Sequence, residues 1–564
     1  MEPKLHMLGD RALLFTFSDS VSNEVNDLVL HLSSALENLR VPGIIESQPA
    51  YSAICIHFDP HVVGPGYLKS LVKRLIRQYQ DETGVDCKPP RELASHSLPR
   101  RLVELPVVYG GEHGPDLPWA AQHLGMDPEE IVKRHTARTY RVYMIGFTPG
   151  FPYMGGMDES LTLPRLPDPR KVVPAGSVGI AGSQTGIYSM DAPGGWRLIG
   201  KTPVNLFDAG KTNPSLLRAG DEVRFVPISQ DQAGGAHAKI TYSKANPEVN
   251  SDILSTMADT PLPHDQPESL GVPAILVENP GFFTIVVDRG RHGYRKLGVP
   301  VSGAADLHSY RQANLAVGNK NDEAALEMTL LGGRFRSMAD ITVAVAGAHA
   351  TVTIDGSDAH VCQPVAVPKG SVLEVGPISR GCRAYLAVAG GLDIRMVLGS
   401  ASTYLRGGFG GYCGRPLKPG DVLSVGPAPD YDDIRSNWSG AERPTTLMEQ
   451  IDSIDEVFLR IVPGPEATEE SLRVLCSSTY TVRPESDRMG LRLDGPKPMD
   501  GPGDILSSVV VPGTIQVPSD GRPILLLADA QTTGGYRRLG TVVSRDLSLA
   551  GQLWPGARVR FRTV

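Results

Sequence analysis

Several absences narrow the possibilities before any motif is read. No basic excess exists: 55 Lys and Arg stand against 62 Asp and Glu, for a net charge of −7. That sets aside a general nucleic-acid binder. No apolar run approaches the roughly 20 residues that span a bilayer. The opening MEPKLHMLGDRALLF lacks a basic region followed by a long apolar stretch, so no signal peptide is read. Cys55, Cys87, Cys362, Cys382, Cys413 and Cys476 are scattered without a CxxC pair. Free thiols in a reducing, cytoplasmic compartment are therefore expected. HExxH is also missing, so a tightly held metal is not expected. Aromatics make up only 6% of the chain.

What is abundant is glycine (61) and proline (47), together about a fifth of 564 residues, against roughly 12% in an average chain. This predicts many turns and short strands. The length allows about three to five domains. Residues 1–95 alternate strand and helix signals, as in RALLFTF, then Val25, Leu28, Val29, Leu32 and Leu36 at helical spacing, then AICIHF. A second helix is marked by Leu68, Leu71, Val72, Leu75 and Ile76. Residues 96–228 read as a β module. It contains one helix beginning at Asp127-Pro128, with Glu130 placed to reach back to the cap. Residues 229–270 are polar and rich in Pro and Gly, which predicts a linker, with a short strand inside it at 240–242. Residues 271–450 and 451–564 form two further β modules, with helix starts at Asp306 and Thr468. The fold class is mainly β with an α+β N-terminal lobe, and the spaced short strands predict closed or nearly closed barrels.

Four segments can carry chemistry. Residues 146–156 (GFTPGFPYMGG) and 173–195 (VPAGSVGIAGSQTGIYSMDAPGG) hold Phe147, Pro149, Gly150, Phe151, Tyr153, Gln184, Tyr188 and Gly194, with Trp196 just after. They form either a rigid apolar wall for a flat ligand or barrel-corner glycines with core aromatics. Residues 298–306 (GVPVSGAAD) place Ser302, Gly303 and Asp306 before a helix, either an anion site or a capped turn. Arg406 precedes 407–415 (GGFGGYCGR), a phosphate-wrapping loop or a surface loop, in which Cys413 has basic neighbours. The fourth set combines 483–490 (RPESDRMG), 518–521 (PSDG) and 529–536 (DAQTTGGY). Asp487, Asp520 or Asp529 can serve as general base or as a ligand for a nucleotide-bound metal. Arg488 can stabilise developing charge, with Gln531 and Tyr536 beside them. Turn chemistry is the competing explanation. His135, at a helix end, is a structural histidine unless it faces a cleft.

Together these segments resemble a known family. LPVVYGGEHGPDL, YRVYMIGFTPGFPYMGG and VPAGSVGIAGSQTGIYSMDAPGGWRLIGKTP resemble the B component of bacterial ATP-dependent 5-oxoprolinase, also called allophanate hydrolase subunit 1 or the Kip-type kinase inhibitor. AVGNKNDEAALEMTLLGG, YLAVAGGLD, VLGSASTYLRGGFGGYCGRPLKPGDVL and RPESDRMGLRLDGP resemble the C component, or allophanate hydrolase subunit 2. The resemblance implies a fused B–C protein of cyclophilin-like β-barrel modules. It implies ATP-dependent hydrolysis of a cyclic amide, 5-oxoproline to L-glutamate, with ATP and Mg²⁺. It also implies the separate 5-oxoprolinase A component as partner, and an oligomer. The same domains occur in the carboxyltransferase part of urea carboxylase. The alternative is therefore carboxyl transfer to a urea-like or amide substrate, with biotin supplied in trans, because this chain has no AMKM site. A third reading is a regulatory protein that inhibits a sensor histidine kinase. Two departures stand out: Ala305 where the family has methionine, and an extra arginine in Asp288-Arg289-Gly290-Arg291.

Overall fold

The computed structural model describes residues 2–83, 100–233, 241–243, 271–320, 322–438, 456–499 and 503–564. The N-terminal lobe is an antiparallel sheet in the order Lys4–Met7, Ala12–Thr16, Ala53–Phe58, Ile44–Pro49. Alternate residues of a strand face opposite sides. Leu13, Phe15, Ile54 and Ile56 pack under helices Asn23–Leu39 and Pro65–Thr83. Ala12, Leu14, Ala53 and Cys55 face the other way, into a core shared with residues 143–198 and with Val509 and Val511. Burial on both faces explains why these strands read as continuous apolar runs. Ser22 caps the first helix by accepting from the Val25 N–H.

The next module closes into a barrel. Its strands run in the order Arg197–Lys201, Ser177–Ala181, Gln184–Ile187, Pro152–Gly155, Thr139–Ile145, Glu222–Pro227, Leu102–Tyr109, and Arg197–Lys201 pairs back onto Leu102–Tyr109. The first and last barrel strands, Leu102–Tyr109 and Glu222–Pro227, are parallel. The expected short strand appears as Thr241–Ser243, paired with Leu102–Tyr109, so this sheet reaches past 228. Most of the expected linker lies outside the described residues. The helix at Pro128–Thr136 forms as expected. Its cap Asp127 makes no side-chain bond, and Glu130 pairs with Arg134 rather than reaching back.

The last module repeats this plan. Val457–Pro463 runs parallel to Arg558–Thr563 and pairs with Thr533–Val542 to close the ring. Thr468 and Ser471 form the capping box of helix Glu469–Ser477. The module between the two barrels is built on two long partners, Ile341–Ile354 and Val372–Val388. The fold is mainly β, made of cyclophilin-like barrel modules behind an α+β lobe. No helix among the described residues is long and apolar enough to cross a membrane.

The two halves interlock. Ile145 bridges to Leu297, and the Gly150 N–H donates to the Leu297 carbonyl at 2.9 Å. Glu46 of the lobe is ion-paired with Arg295, both buried. Gln48 Nε2 donates to the Thr532 carbonyl at 2.8 Å, and Asp10 accepts from Ser544.

Candidate functional site

A cavity of about 230 Å³ opens where the three β modules meet. The first module lines it with Phe147, Thr148 and residues 190–193; the second contributes Tyr404 and Arg406; the third contributes Met489 and Gln531. Drug-sized pockets run from roughly 300 to 1,000 Å³, so this one suits a smaller ligand. A larger groove of about 590 Å³, lined by Tyr109, Pro128, Glu129, Val132, Lys133 and Pro227, is wider but lies on the first module alone.

The cleft mixes one open ring with polar ends. Phe147 is 36% exposed. Arg406 is exposed and lies 3.9 Å from Asp487, which is exposed too. Gln531 Nε2 donates to Gln516 Oε1 at 3.3 Å. Thr148 and Ser189 share a hydroxyl bond of 3.2 Å. Burial, reinforced by the charge of Asp529, pushes the Tyr404 hydroxyl well above its ordinary range, so it stays a neutral donor. This set can hold a planar polar group against a ring and a negative charge at the rim.

Most of the other aromatic candidates form core instead of wall. Phe151, Tyr153, Tyr188 and Trp196 are buried in edge-on contact, with ring centroids 5.1 to 6.4 Å apart. Gly194 belongs to that packing, since a Cβ there would sit 2.1 Å from the Tyr188 hydroxyl. Gln184 donates to the Tyr51 hydroxyl at 2.6 Å, and Pro149 and Gly150 are buried beneath the loop. His135 is fully buried inside the first barrel. It bonds Tyr109 at 2.8 Å and Thr185 at 2.9 Å, and burial holds its pKa down at about 3.

The acid–arginine set divides. Arg488 and Asp529 do meet, at 3.0 and 3.1 Å, but in a closed clamp between the second and third modules. Arg488 Nη1 donates to Glu327, and Nη2 also donates to the Gly303 carbonyl at 2.7 Å. All three guanidinium nitrogens are thus committed. Burial opposes the charge on Arg488, yet Asp529 and Glu327 raise its pKa above the ordinary value. Burial drives the Asp529 carboxyl up, partly offset by Arg488. For Glu327 burial works the same way, but Arg488 and Arg383 prevail and lower it. Glu327 also accepts from Tyr385 at 2.8 Å and from the Ala305 N–H at 2.9 Å.

Ser302, Gly303 and Asp306 sit at the same joint. Ser302 is buried with φ 53° and donates its N–H to the Ala528 carbonyl at 3.1 Å. Asp306 caps helix Leu307–Ala316 and accepts from Gln552 Nε2 at 2.7 Å. The segment expected as anion site or capped turn has the geometry of a capped turn. Asp520 closes an exposed turn by accepting from the Arg522 N–H at 3.1 Å. Tyr536 is 39% exposed, on a strand opposite Asp504. Cys413 is exposed within its glycine loop at φ 55°.

Of the candidates, then, the cleft gathers Phe147, Arg406 and Gln531, with Asp487 at its edge. Sequence reasoning missed Thr148, residues 190–193, Tyr404 and Met489, although each lies within or beside a segment singled out for its glycines or charges.

Residues 3–217 match the family model "Carboxyltransferase domain, subdomain C and D", and residues 297–563 match "Carboxyltransferase domain, subdomain A and B". The chain is 41% identical over 228 residues to the 5-oxoprolinase B component of Bacillus subtilis, covering 40% of this chain and 93% of that protein. It is 35% identical over 293 residues to the 5-oxoprolinase C component of Escherichia coli, covering 50% of this chain and 88% of that protein. The crystal structure of TTHA0988 superposes with a TM-score of 0.77 at 36% identity, covering 98% of this chain and 99% of that one. The chain belongs to the family of 5-oxoprolinase B and C components, built of carboxyltransferase-type domains, and carries the regions of both in one polypeptide.

Proposed function

We propose that this chain is the B–C component of an ATP-dependent enzyme that opens 5-oxoproline to L-glutamate together with a separate A component. The observation that carries the reading is the cleft to which both halves contribute walls. An unstrained lactam resists water because its nitrogen lone pair is delocalised into the carbonyl. Phosphorylation of the amide oxygen by ATP releases ADP and removes that delocalisation; one water adds at the carbon, the ring nitrogen leaves as the amine to give the acyl phosphate, and a second water releases phosphate, so the products are glutamate, ADP and phosphate. ATP enters as a reactant, with Mg²⁺ neutralising its phosphates. In this cleft Arg406 suits the substrate carboxylate, Gln531 and the neutral Tyr404 hydroxyl suit the lactam, and Phe147 offers a flat apolar surface.

The test is ATP turnover by the purified chain, with and without the separately expressed A component, over 5-oxoproline, urea and biotin. Stimulation by 5-oxoproline that needs the A component and releases glutamate is the expected result. The carboxyltransferase-domain matches over both halves favour a second reading, carboxyl transfer to a urea-like or amide substrate from biotin supplied in trans. Decarboxylation of carboxybiotin that depends on substrate, without ATP turnover, would select it.

A further inference from the structure

Phe147 is the one member of its aromatic cluster left open, and its backbone is unusual. The Thr148 N–H donates to the Gly146 carbonyl at 2.8 Å, closing a three-residue turn with Phe147 at its centre and φ at 66°. A positive φ marks the rarer and strained form of that turn, and for a bulky residue it is a true outlier. Strain of this kind persists only where surrounding structure enforces it, and it gathers at ligand sites.

The enforcing group comes from another module. Thr533 Oγ1, on the first residue of strand Thr533–Val542, accepts from the Phe147 N–H at 2.8 Å. The same hydroxyl lies beside Tyr153, where it partly offsets the rise in pKa that burial imposes on that phenol. Tyr153 packs on Phe151 at 5.1 Å, and Phe151 packs on Phe147 at 5.5 Å. Gly146 permits the approach: a Cβ there would lie 2.2 Å from Thr533 Oγ1. Gly298 permits a second approach, its Cβ position being 2.4 Å from the Thr148 carbonyl oxygen. Thr532, next to Thr533, is held through its carbonyl by Gln48 of the N-terminal lobe.

We infer that the exposed face of Phe147 is a stacking subsite for a planar carboxamide or ureido group, and that Thr533 is the positioning residue that sets it. The subsite rests on the functional reading of the cleft above. Its consequence is that the site exists only when the third module is docked on the first, because the pin and the platform belong to different halves of the chain.

The test uses the full chain with Thr533→Val, which keeps the shape and loses the hydroxyl, Thr533→Ser, which keeps the hydroxyl, and Phe147→Gly, which tolerates the backbone and loses the ring. Hydrogen exchange of the peptide spanning 145–151 is read without ligand. Calorimetry is then run with 5-oxoproline, urea and biotin, and KM and kcat are measured for whichever supports turnover. Thr533→Val should speed exchange and weaken binding about tenfold, as expected for one lost hydrogen bond, through KM more than kcat. Thr533→Ser should restore both, and Phe147→Gly should lose binding. Unchanged exchange in Thr533→Val overturns the pin. Faster exchange with unchanged affinity, or full binding by Phe147→Gly, overturns the platform, and so does failure of the unaltered chain to bind any of the three. Binding of urea or biotin but not 5-oxoproline, with the same dependence on Thr533, keeps the subsite and removes the lactam as substrate.

Discussion

Asp487 and Arg488 are neighbours in the chain and serve different regions of the molecule. Asp487 is exposed and accepts the Met489 N–H at 2.8 Å in a turn at the cleft edge, within 3.9 Å of Arg406. Arg488 turns inward, is 5% exposed, and binds Glu327, Asp529 and the Gly303 carbonyl. The residue types are equally suited to catalysis in both places. What separates them is saturation: the clamp has no nitrogen of Arg488 left for a ligand, whereas the cleft keeps a guanidinium, an amide and a ring facing open space. A convergence of acids and arginine is therefore evidence of chemistry only where some of its hydrogen-bonding capacity is unspent.

The comparison breaks most readily at the clamp. Arg488→Leu leaves Asp529 buried without its cation and Glu327 with Arg383 alone, and losing one partner of a buried pair costs about 3–5 kcal/mol. Chemical unfolding of the full chain should show that loss; a cost near zero would mean that the clamp is not holding the modules together. pH offers a second way to sharpen it. His135 and His57 are both buried with pKa values held at about 3, against an ordinary 6.5. Below 6.5 the unfolded chain takes up protons that the folded chain refuses. Stability should therefore fall as pH drops from 6.5 towards 3, by up to ~1.4 kcal/mol per pH unit for each histidine. His135→Gln should remove about half of that slope, leaving the His57 contribution, and leave the pH profile of activity unmoved. A histidine working in the cleft would show the reverse.

At the cleft the effects should appear in turnover and not in stability. Arg406→Ala removes an exposed cation, so unfolding should shift by no more than about 0.5 kcal/mol. Its charge-assisted bond to a carboxylate substrate corresponds to about a 10–100-fold loss in kcat/KM, with Arg406→Lys in between. The smallest effect belongs to Asp520→Ala. Asp520 closes its own surface turn and adds a weak charge interaction with Arg483, and both stability and turnover should stay within about 0.5 kcal/mol of the unaltered chain.

Local rules bring much of the fold into view. The apolar spacing from Val25 to Leu36 and the caps Asp306 and Thr468 are written in neighbouring residues, and each marks a helix that forms. The shared plan of the first and last barrels is not visible that way. It resides in the parallel pairing of strands about 100 residues apart, Leu102–Tyr109 with Glu222–Pro227 and Val457–Pro463 with Arg558–Thr563. The cleft is half legible. Glycine and proline density marks the loop around Phe147, but Tyr404 and Met489 are ordinary residues that matter only after the modules dock. For the clamp, Arg488 and Asp529 belong to one expected set, and they do touch. The residue that completes the clamp, Glu327, lies 161 positions before Arg488 on another module.

The most direct measurement is 5-oxoproline-stimulated ATP turnover with the A component present, comparing Asp529→Asn with Arg406→Ala at a temperature where both remain folded. The account predicts that Asp529→Asn loses stability but keeps kcat within about threefold, while Arg406→Ala keeps stability and loses turnover. A fall in kcat of about 10²–10⁴ in Asp529→Asn, the range for removing a general base, with Arg406→Ala unaffected, would contradict it and move the reacting centre from the cleft to the clamp.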